Sequence, residues 1–369
     1  MRKTAKIIGI IAIIIIGFGL ILWGIKSGSK TDQIKIGVIE PITGQGAGWG
    51  NQAKEGALLA EEKIKNAGGN ISIFIEDHQN DPKLALTTFE NLVLTKKIDA
   101  LVSMSSGVMV ALSPAVDEKQ IPTINGGAVS NKLSGISKYE FNIVPLSAQD
   151  ISYIVDQMID KFGKKKIAIL VSNDDFGLSS GETAEKEIAL KNAKIVAYEK
   201  YLNTDKDFKT QIMKIKNSQP DALLLAGQAM GLVLKQAKEL DLTVPVFSSE
   251  TFENPDFVKQ GGLATEGVIY TGLKLSGDDQ AMKNFTEEYK NKYGHEPSLY
   301  SYTTYDAVGI LYKYLQECNQ DKSCVVNKLQ NENYSGIYNS DIKFNDKGEL
   351  VKPEFYLKTV KDGQFVKYK

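Results

Sequence analysis

Histidine is nearly missing from these 369 residues, with only His78 and His295, and cysteine is as scarce, with only Cys318 and Cys324. The histidines lie far apart and have no Cys or His neighbours. A zinc site takes three or four protein ligands, so no metal is expected, and no other cofactor is called for. An excess of either charge is missing too. The 44 Lys and Arg against 45 Asp and Glu leave a net charge of -1, without the cationic surplus that neutralises phosphates, so no nucleic-acid partner is expected. There is no G-x-S-x-G elbow, and neither histidine stands in a Ser or Cys triad context, so no catalytic residue is assigned and the chain does not read as an enzyme. The stretch "EDHQNDP" sets Glu76, Asp77 and Asp81 beside His78. It reads as a polar strand-to-helix turn in which Asp81 caps the next helix, with a hydrolytic site as the alternative. No repeat with a period of 20–50 residues is present.

Charge is absent altogether from one long stretch. After "MRKTAK", residues 7–25 run without a charged side chain. As a helix this run would span about 28 Å, close to the hydrocarbon core of a bilayer. The cationic residues 1–6 are expected to stay in the cytoplasm and the body to lie outside. A secretory signal usually has a shorter apolar region and a small-x-small cleavage site. "WGIKSGSK" offers none, and no cysteine follows to take a lipid. Residues 7–25 therefore read as an uncleaved transmembrane anchor, with a cleaved signal as the alternative, and residues 26–32 as a linker. Either way the body is extracytoplasmic, and there the close pair Cys318 and Cys324 reads as a local disulfide.

What is present in the body is alternation. Apolar runs at Ile34–Ile39, Ile71–Ile75, Ala100–Met104 and Ile121–Ile124 read as buried strands. So do Ile167–Val171, Ile195–Ala197, Ala222–Ala226, Val244–Phe247 and Gly267–Tyr270. Helical patterns lie between them. Ala53, Ala57, Ala60, Ile64 and Ala67 make one apolar stripe that ends at Gly68-Gly69. Asp81 and Pro82 suit the N-cap and first position of the next helix. "NFTEEYKNKYG" and "YSYTTYDAVGILYKYLQE" are later helices. The series pauses near Val144–Ser147 and again near Lys274–Gly277, so the α/β body divides into two doubly wound parallel-sheet lobes, crossed by the chain more than once.

The glycine-rich "TGQGAGWGNQ" after the first strand invites a phosphate-binding reading and fails it. Taken as G-x-G-x-x-G from Gly44, the third glycine falls on Trp49, and from Gly46 it falls on Asn51. No Gly-Lys pair supplies a P-loop, and Trp49 would block the close packing that the third glycine permits. The loop reads instead as a cleft-edge turn leading into a helix that begins near Gly50.

From Ile34 onward the residues resemble a known family. "IKIGVIEPITGQGAGWGNQAKEGALLAEEKIKNAGG", "SMSSGVMVALSP", "QIPTINGGAVS", "KIAILVSNDDFG", "DFKTQIMKIKNSQPDALLLAG", "PVFSSETFENPDF", "YTTYDAVGILYKYL" and "FNDKGEL" follow one another in the order and spacing of the type I periplasmic binding proteins. The match is to the leucine/isoleucine/valine-binding group of ABC transporters. The resemblance implies two lobes joined by a multi-stranded hinge, residues 33–146 with 275–352 and residues 147–274 with 353–369. It implies a monomer that closes on a neutral, branched-chain-like amino acid and delivers it to a permease driven by an ATPase. A membrane-tethered sensor of the same fold is the alternative, as is an amide, urea-like or aromatic-acid ligand.

The resemblance also assigns residues. Ser106, ending a strand and opening a helix, would hold the ligand carboxylate with its hydroxyl and N–H, and a simple N-cap role is compatible with that. Gly127 falls where a backbone carbonyl accepts from the ammonium. Where many members place a threonine hydroxyl this chain has Val129, so either Ser130 substitutes or the contact is backbone-only. Glu250 matches the acidic partner of the ammonium. Trp49 packs on the ligand, Met104 and Ser105 line its side-chain region, and Phe176 faces them. Gln228 stands where the branched-chain binder has tyrosine, which opens the pocket to a polar side chain.

Overall fold

The valine-, isoleucine- and leucine-rich runs at the sheet centres become strands covered on both faces, as their lack of polar alternation requires, while those at Ile71–Ile75 and Ile195–Ala197 become half-buried edge strands. In the computed structural model, which describes residues 32–275 and 279–369, the first lobe opens with β1 (Ile34–Glu40), α1 (Ala47–Asn66), β2 (Ile71–Asp77), α2 (Pro82–Asn91), β3 (Ala100–Ser103), α3 (Ser106–Lys119), β4 (Thr123–Asn125) and β5 (Glu140–Asn142). Its strands lie in the order β2-β1-β3-β4-β5, all parallel. The second lobe follows with α4 (Ser147–Asp156), β6 (Lys166–Ser172), α5 (Asp175–Ala189), β7 (Lys194–Tyr201), α6 (Lys209–Asn217) and β8 (Ala222–Ala226). It continues through α7 (Met230–Glu239), β9 (Val246–Ser248), α8 (Pro255–Gly261) and β10 (Ile269–Leu273). The chain then returns to the first core with α9 (Asp279–Tyr293), α10 (Leu299–Glu317) and α11 (Lys322–Asn331), where Phe285, Leu311 and Val325 pack with Val38 and Val102. It ends in the second sheet with β11 (Phe355–Lys361) and β12 (Gln364–Lys367).

The second sheet runs β12-β11-β10-β9-β8-β6-β7. β11 runs antiparallel to β10 and β12 antiparallel to β11, so this sheet is mixed rather than purely parallel as expected. Asp362 and Gly363, both with positive φ (53° and 71°), make the two-residue turn between them. Two expected strands start late for one reason. Pro122 and Pro245 have no N–H to give, so β4 and β9 begin after them, although each proline carbonyl accepts from the neighbouring strand (Leu101 N 3.0 Å, Leu223 N 2.9 Å).

Local signals behave as the chemistry requires. Asp81 accepts from the N–H groups of Lys83 (2.8 Å) and Leu84 (3.2 Å), with Pro82 at the first helical position of α2. Gly68 (φ 86°) ends α1, and Gly69 N–H reaches back to Ile64 O at 2.9 Å. The start of α1 differs from expectation. Gly46 takes φ 96° and lets the helix begin at Ala47 rather than near Gly50, so Trp49 sits on its first turn. Cys318 and Cys324 are joined in a disulfide between α10 and α11. His78 is buried, accepts from Asn80 N–H at 2.9 Å, and is pushed by burial down to about 4. The expected anchor over residues 7–25 lies outside the described residues, as do Ser276 and Gly277 of the second expected hinge segment. Among the described residues no helix is long and apolar enough to cross a membrane.

Several acids are buried inside the lobes, and they set a pH dependence. Burial pushes Glu140 up to about 8, with only the Ser113 hydroxyl (2.6 Å) opposing it, and Asp306 up to about 7. A carboxyl raised in this way favours the folded state while protonated. Its stabilisation is complete below the unfolded value near about 4.3 and is lost as pH rises through the folded value. His78 has the opposite sign, but only below about 6.5, where the unfolded imidazole gains a proton. Between roughly pH 6.5 and 8.5 the free energy of unfolding should therefore fall, by about 2 kcal/mol from Glu140 alone. Urea unfolding of the ligand-free chain at both ends of that range measures it, and a flat or rising profile would show that Glu140 ionises freely.

Candidate ligand-binding site

In an open α/β sheet a ligand sits outside the carboxyl ends of the strands, where the winding reverses. In the first sheet that point lies between β1 and β3. The loops leaving these strands carry Trp49 on one side and Met104, Ser105 and Ser106 on the other. In the second sheet the reversal lies between β6 and β8, whose loops carry Phe176 and Gln228. These residues meet around one cavity with Gly127 and Val129 from the loop after β4. About 30 Å³ of it is open to the centre of a water molecule, two to three times what a single water needs.

The first-lobe wall is built to take an anion. Ser105 adopts φ 76°, a strained conformation for a non-glycine residue, and so turns the chain sharply into α3. No side chain caps that helix start, which leaves its first N–H groups and the positive end of its dipole at the cavity. The Ser106 hydroxyl accepts from Val129 N–H and Ser130 N–H, both at 3.2 Å. Its two lone pairs are thereby used, and its one proton remains to be donated. Gly127 has to be glycine, because a Cβ would stand 2.5 Å from Met104 Cε and 2.8 Å from the Tyr300 ring.

The second-lobe wall combines an aromatic face and an amide. Phe176 lies on the first turn of α5, whose cap Asp174 accepts from Gly177 N–H at 2.8 Å. Gln228 is held between Gly227 (φ 142°) and Ala229 (φ 58°), and the Tyr201 hydroxyl donates to its carbonyl. Trp49 bridges the lobes, edge-on to Phe257 with ring centres 5.5 Å apart and tilted against Tyr300 at 6.2 Å.

Two of the expected residues lie off the lining. Ser130 is buried and turns away, its hydroxyl hydrogen-bonded to Ser179 at 3.0 Å. Beside it Asn131 reaches Thr183 (2.9 Å) and Lys132 pairs with Asp175, so this segment ties the lobes together. Glu250 stands behind Tyr300, whose hydroxyl donates to its Oε2 at 3.1 Å. Its N–H donates to Asp150 at 3.2 Å, and its Oε1 has no hydrogen-bond partner among the described residues. Burial first and the Asp150 carboxyl second hold Glu250 well above the usual carboxylate range.

Tyr300 and Thr251 line the cavity and were missed. Thr251 directly follows Glu250. The available signal for Tyr300 was its place near the start of a tyrosine-rich helix, a polar-tipped aromatic where a helix opens toward the cleft.

A family model described as periplasmic binding protein matches residues 33–364. The leucine-, isoleucine-, valine-, threonine- and alanine-binding protein of Pseudomonas aeruginosa is 25% identical over 332 residues, 88% of this chain and 89% of that one. Among solved structures, a leucine binding protein of Thermotoga maritima is similar with a TM-score of 0.84 and 20% identity, over 91% of this chain and 98% of that one. A solute binding protein of an ABC transporter from Rhodopseudomonas palustris, in complex with 3,4-dihydroxybenzoic acid, is similar with a TM-score of 0.80 and 21% identity, over 91% and 96%.

Proposed function

Because the chain belongs to the periplasmic binding protein family, in its leucine/isoleucine/valine-binding group, we propose that it is the extracytoplasmic substrate-binding protein of an ABC transporter and captures a neutral α-amino acid between its lobes. The observation that carries the reading is the split of charge preference between the cavity and the carboxyl behind its Tyr300 wall. On one side stand a helix start and a hydroxyl left only with a proton to donate; on the other, behind Tyr300, stands a buried carboxyl with a free oxygen. A carboxylate and an ammonium on one carbon meet these two demands together, and both lose water on closure, so each requires charge-assisted bonds. Ser106 and the start of α3 take the carboxylate. The Gly127 backbone and Glu250 take the ammonium, which displaces the Tyr300 hydroxyl from Glu250.

The lobe opened by β1 binds first, and the second lobe closes with Phe176 and Gln228, its contacts stabilising the closed state. The segments near Val144–Ser147 and Lys274–Gly277 absorb the rotation. Delivery is to a permease and its ATPase, with residues 7–25 holding the protein at the membrane. Unchanged uptake of the captured amino acid in cells lacking the chain would remove the transporter role in favour of a tethered sensor.

An aromatic carboxylic acid is the second reading. Trp49, Phe176 and Tyr300 around the cavity favour it, and so does the Rhodopseudomonas palustris relative. It leaves Glu250 without a cation, which is why the amino acid is preferred. Thermal unfolding of the full chain with neutral amino acids, benzoate and a sugar separates the cases. Ligand at 100-fold above Kd stabilises by about 2.7 kcal/mol. A shift with an amino acid supports the proposal, and a shift with benzoate or the sugar alone refutes it.

A further inference from the structure

We propose that the amino acid taken by this cavity has a side chain ending in a hydroxyl or a carboxamide, read by Trp49 Nε1 and Gln228 Oε1. This rests on the amino-acid reading above and narrows it. With Ser106 and α3 assigned to the carboxylate and Glu250 to the ammonium, two buried polar atoms on the lining residues are left over. They are the indole N–H of Trp49, 8% exposed, and the amide oxygen of Gln228, 6% exposed, each buried without a hydrogen-bond partner among the described residues. Buried polar atoms in folded proteins are nearly all paired, so two unpaired ones on one cavity point to a ligand that pairs them.

The Trp49 ring and the Gln228 backbone are both held in place. Trp49 is set by its edge contact with Phe257 and its tilt against Tyr300. Gln228 is fixed through its backbone. A Cβ on Gly227 would lie 2.4 Å from Ser172 Oγ, Ala229 is left-handed at φ 58°, and the Tyr201 hydroxyl holds the Gln228 carbonyl. The strained loop thus presents the amide to the cavity at the cost of local conformational ease.

A hydrocarbon side chain closing into this space expels water and leaves both atoms unpaired. A hydroxyl accepts from the indole N–H and donates to the amide oxygen, and it pairs with either end of the amide. Sites built to hydrogen-bond a ligand group reject analogues that lack it far more strongly than apolar pockets reject an extra methylene. Met104 and Phe176 supply the apolar wall for the remaining carbons.

Calorimetric titration of the full chain with serine, threonine, asparagine and glutamine, against leucine, isoleucine and valine, tests the inference. At least one of the first four should bind ten-fold or more tightly than every branched-chain residue, a difference of about 1.4 kcal/mol. Gln228→Leu should reduce that ratio below about three-fold (about 0.65 kcal/mol), and Trp49→Phe, which keeps an aromatic ring but removes the N–H, should lower it as well. A branched-chain residue binding as tightly as the best polar one overturns the inference and leaves the amino-acid reading standing. So does a ratio that survives in Gln228→Leu. Binding of none of the seven overturns the inference, and the amino-acid reading falls with it only if the thermal screen of neutral amino acids also shows no shift.

Discussion

Glu250→Ala is expected to weaken amino-acid binding by about 2–5 kcal/mol, on the order of thirty-fold to a few thousand-fold. The size follows from burial. Glu250 is 3% exposed, with its Oε1 unpaired among the described residues, so an ammonium placed there by closure has no water to fall back on once the carboxylate is removed. The carboxyl is held above its usual range by burial and by Asp150 beside it, which favours its binding a proton when no cation is near. Capture of an ammonium must expel that proton. Wild-type affinity should therefore rise with pH through the raised value of Glu250 and weaken as pH falls, because protons compete with the ligand. Glu250→Gln keeps the volume and the acceptor for Tyr300 but not the charge, and should lose both affinity and this pH dependence. Equal affinity in wild type and Glu250→Ala would take Glu250 out of the site and favour the aromatic acid.

Which parts of this could be read from the sequence depends on the range of the forces involved. Ile34–Ile39 and Ala222–Ala226 announce themselves because a strand covered on both faces must be apolar throughout. Asp81 and Pro82 announce a helix start because the cap bonds lie within three residues. The candidate site followed from Trp49, Ser106, Gly127, Phe176 and Gln228 through their likeness to a family, and the strand order explains why all but Gly127, which follows β4, lie at two reversal points. What stayed hidden acts across the cleft. Ser130 binds Ser179, 49 residues on, and Tyr300 reaches Glu250 over a separation of 50, with no periodicity to record either. The β11–β12 hairpin was different: Asp362-Gly363 is a strong turn signal that went unused, because the strands around it alternate too weakly to look buried.

The distance between Trp49 and Tyr300 is itself set by a glycine, and Gly56→Ala should show it. Gly56 lies on α1, two turns beyond Trp49, and a Cβ there would stand 2.2 Å from the backbone oxygen of Ser301 and 3.0 Å from its Cα. Ser301 directly follows Tyr300 on α10, and its backbone cannot rotate out of the way as a side chain would. The two helices must separate, and the cost should lie near the upper end of overpacking, about 3 kcal/mol, read as a lower urea midpoint with an unchanged slope. Separation also moves Trp49 from Tyr300 (ring centres 6.2 Å apart) and loosens one wall of the cavity, so ligand affinity should fall at least about ten-fold. Gly294→Ala is the control. It has φ 81°, is exposed, and meets nothing within 4 Å of an added Cβ. It should lose about 1 kcal/mol from backbone strain alone and bind ligand normally. Equal affinities in the two variants would mean that the approach of α1 to α10 stabilises the lobe without shaping the site.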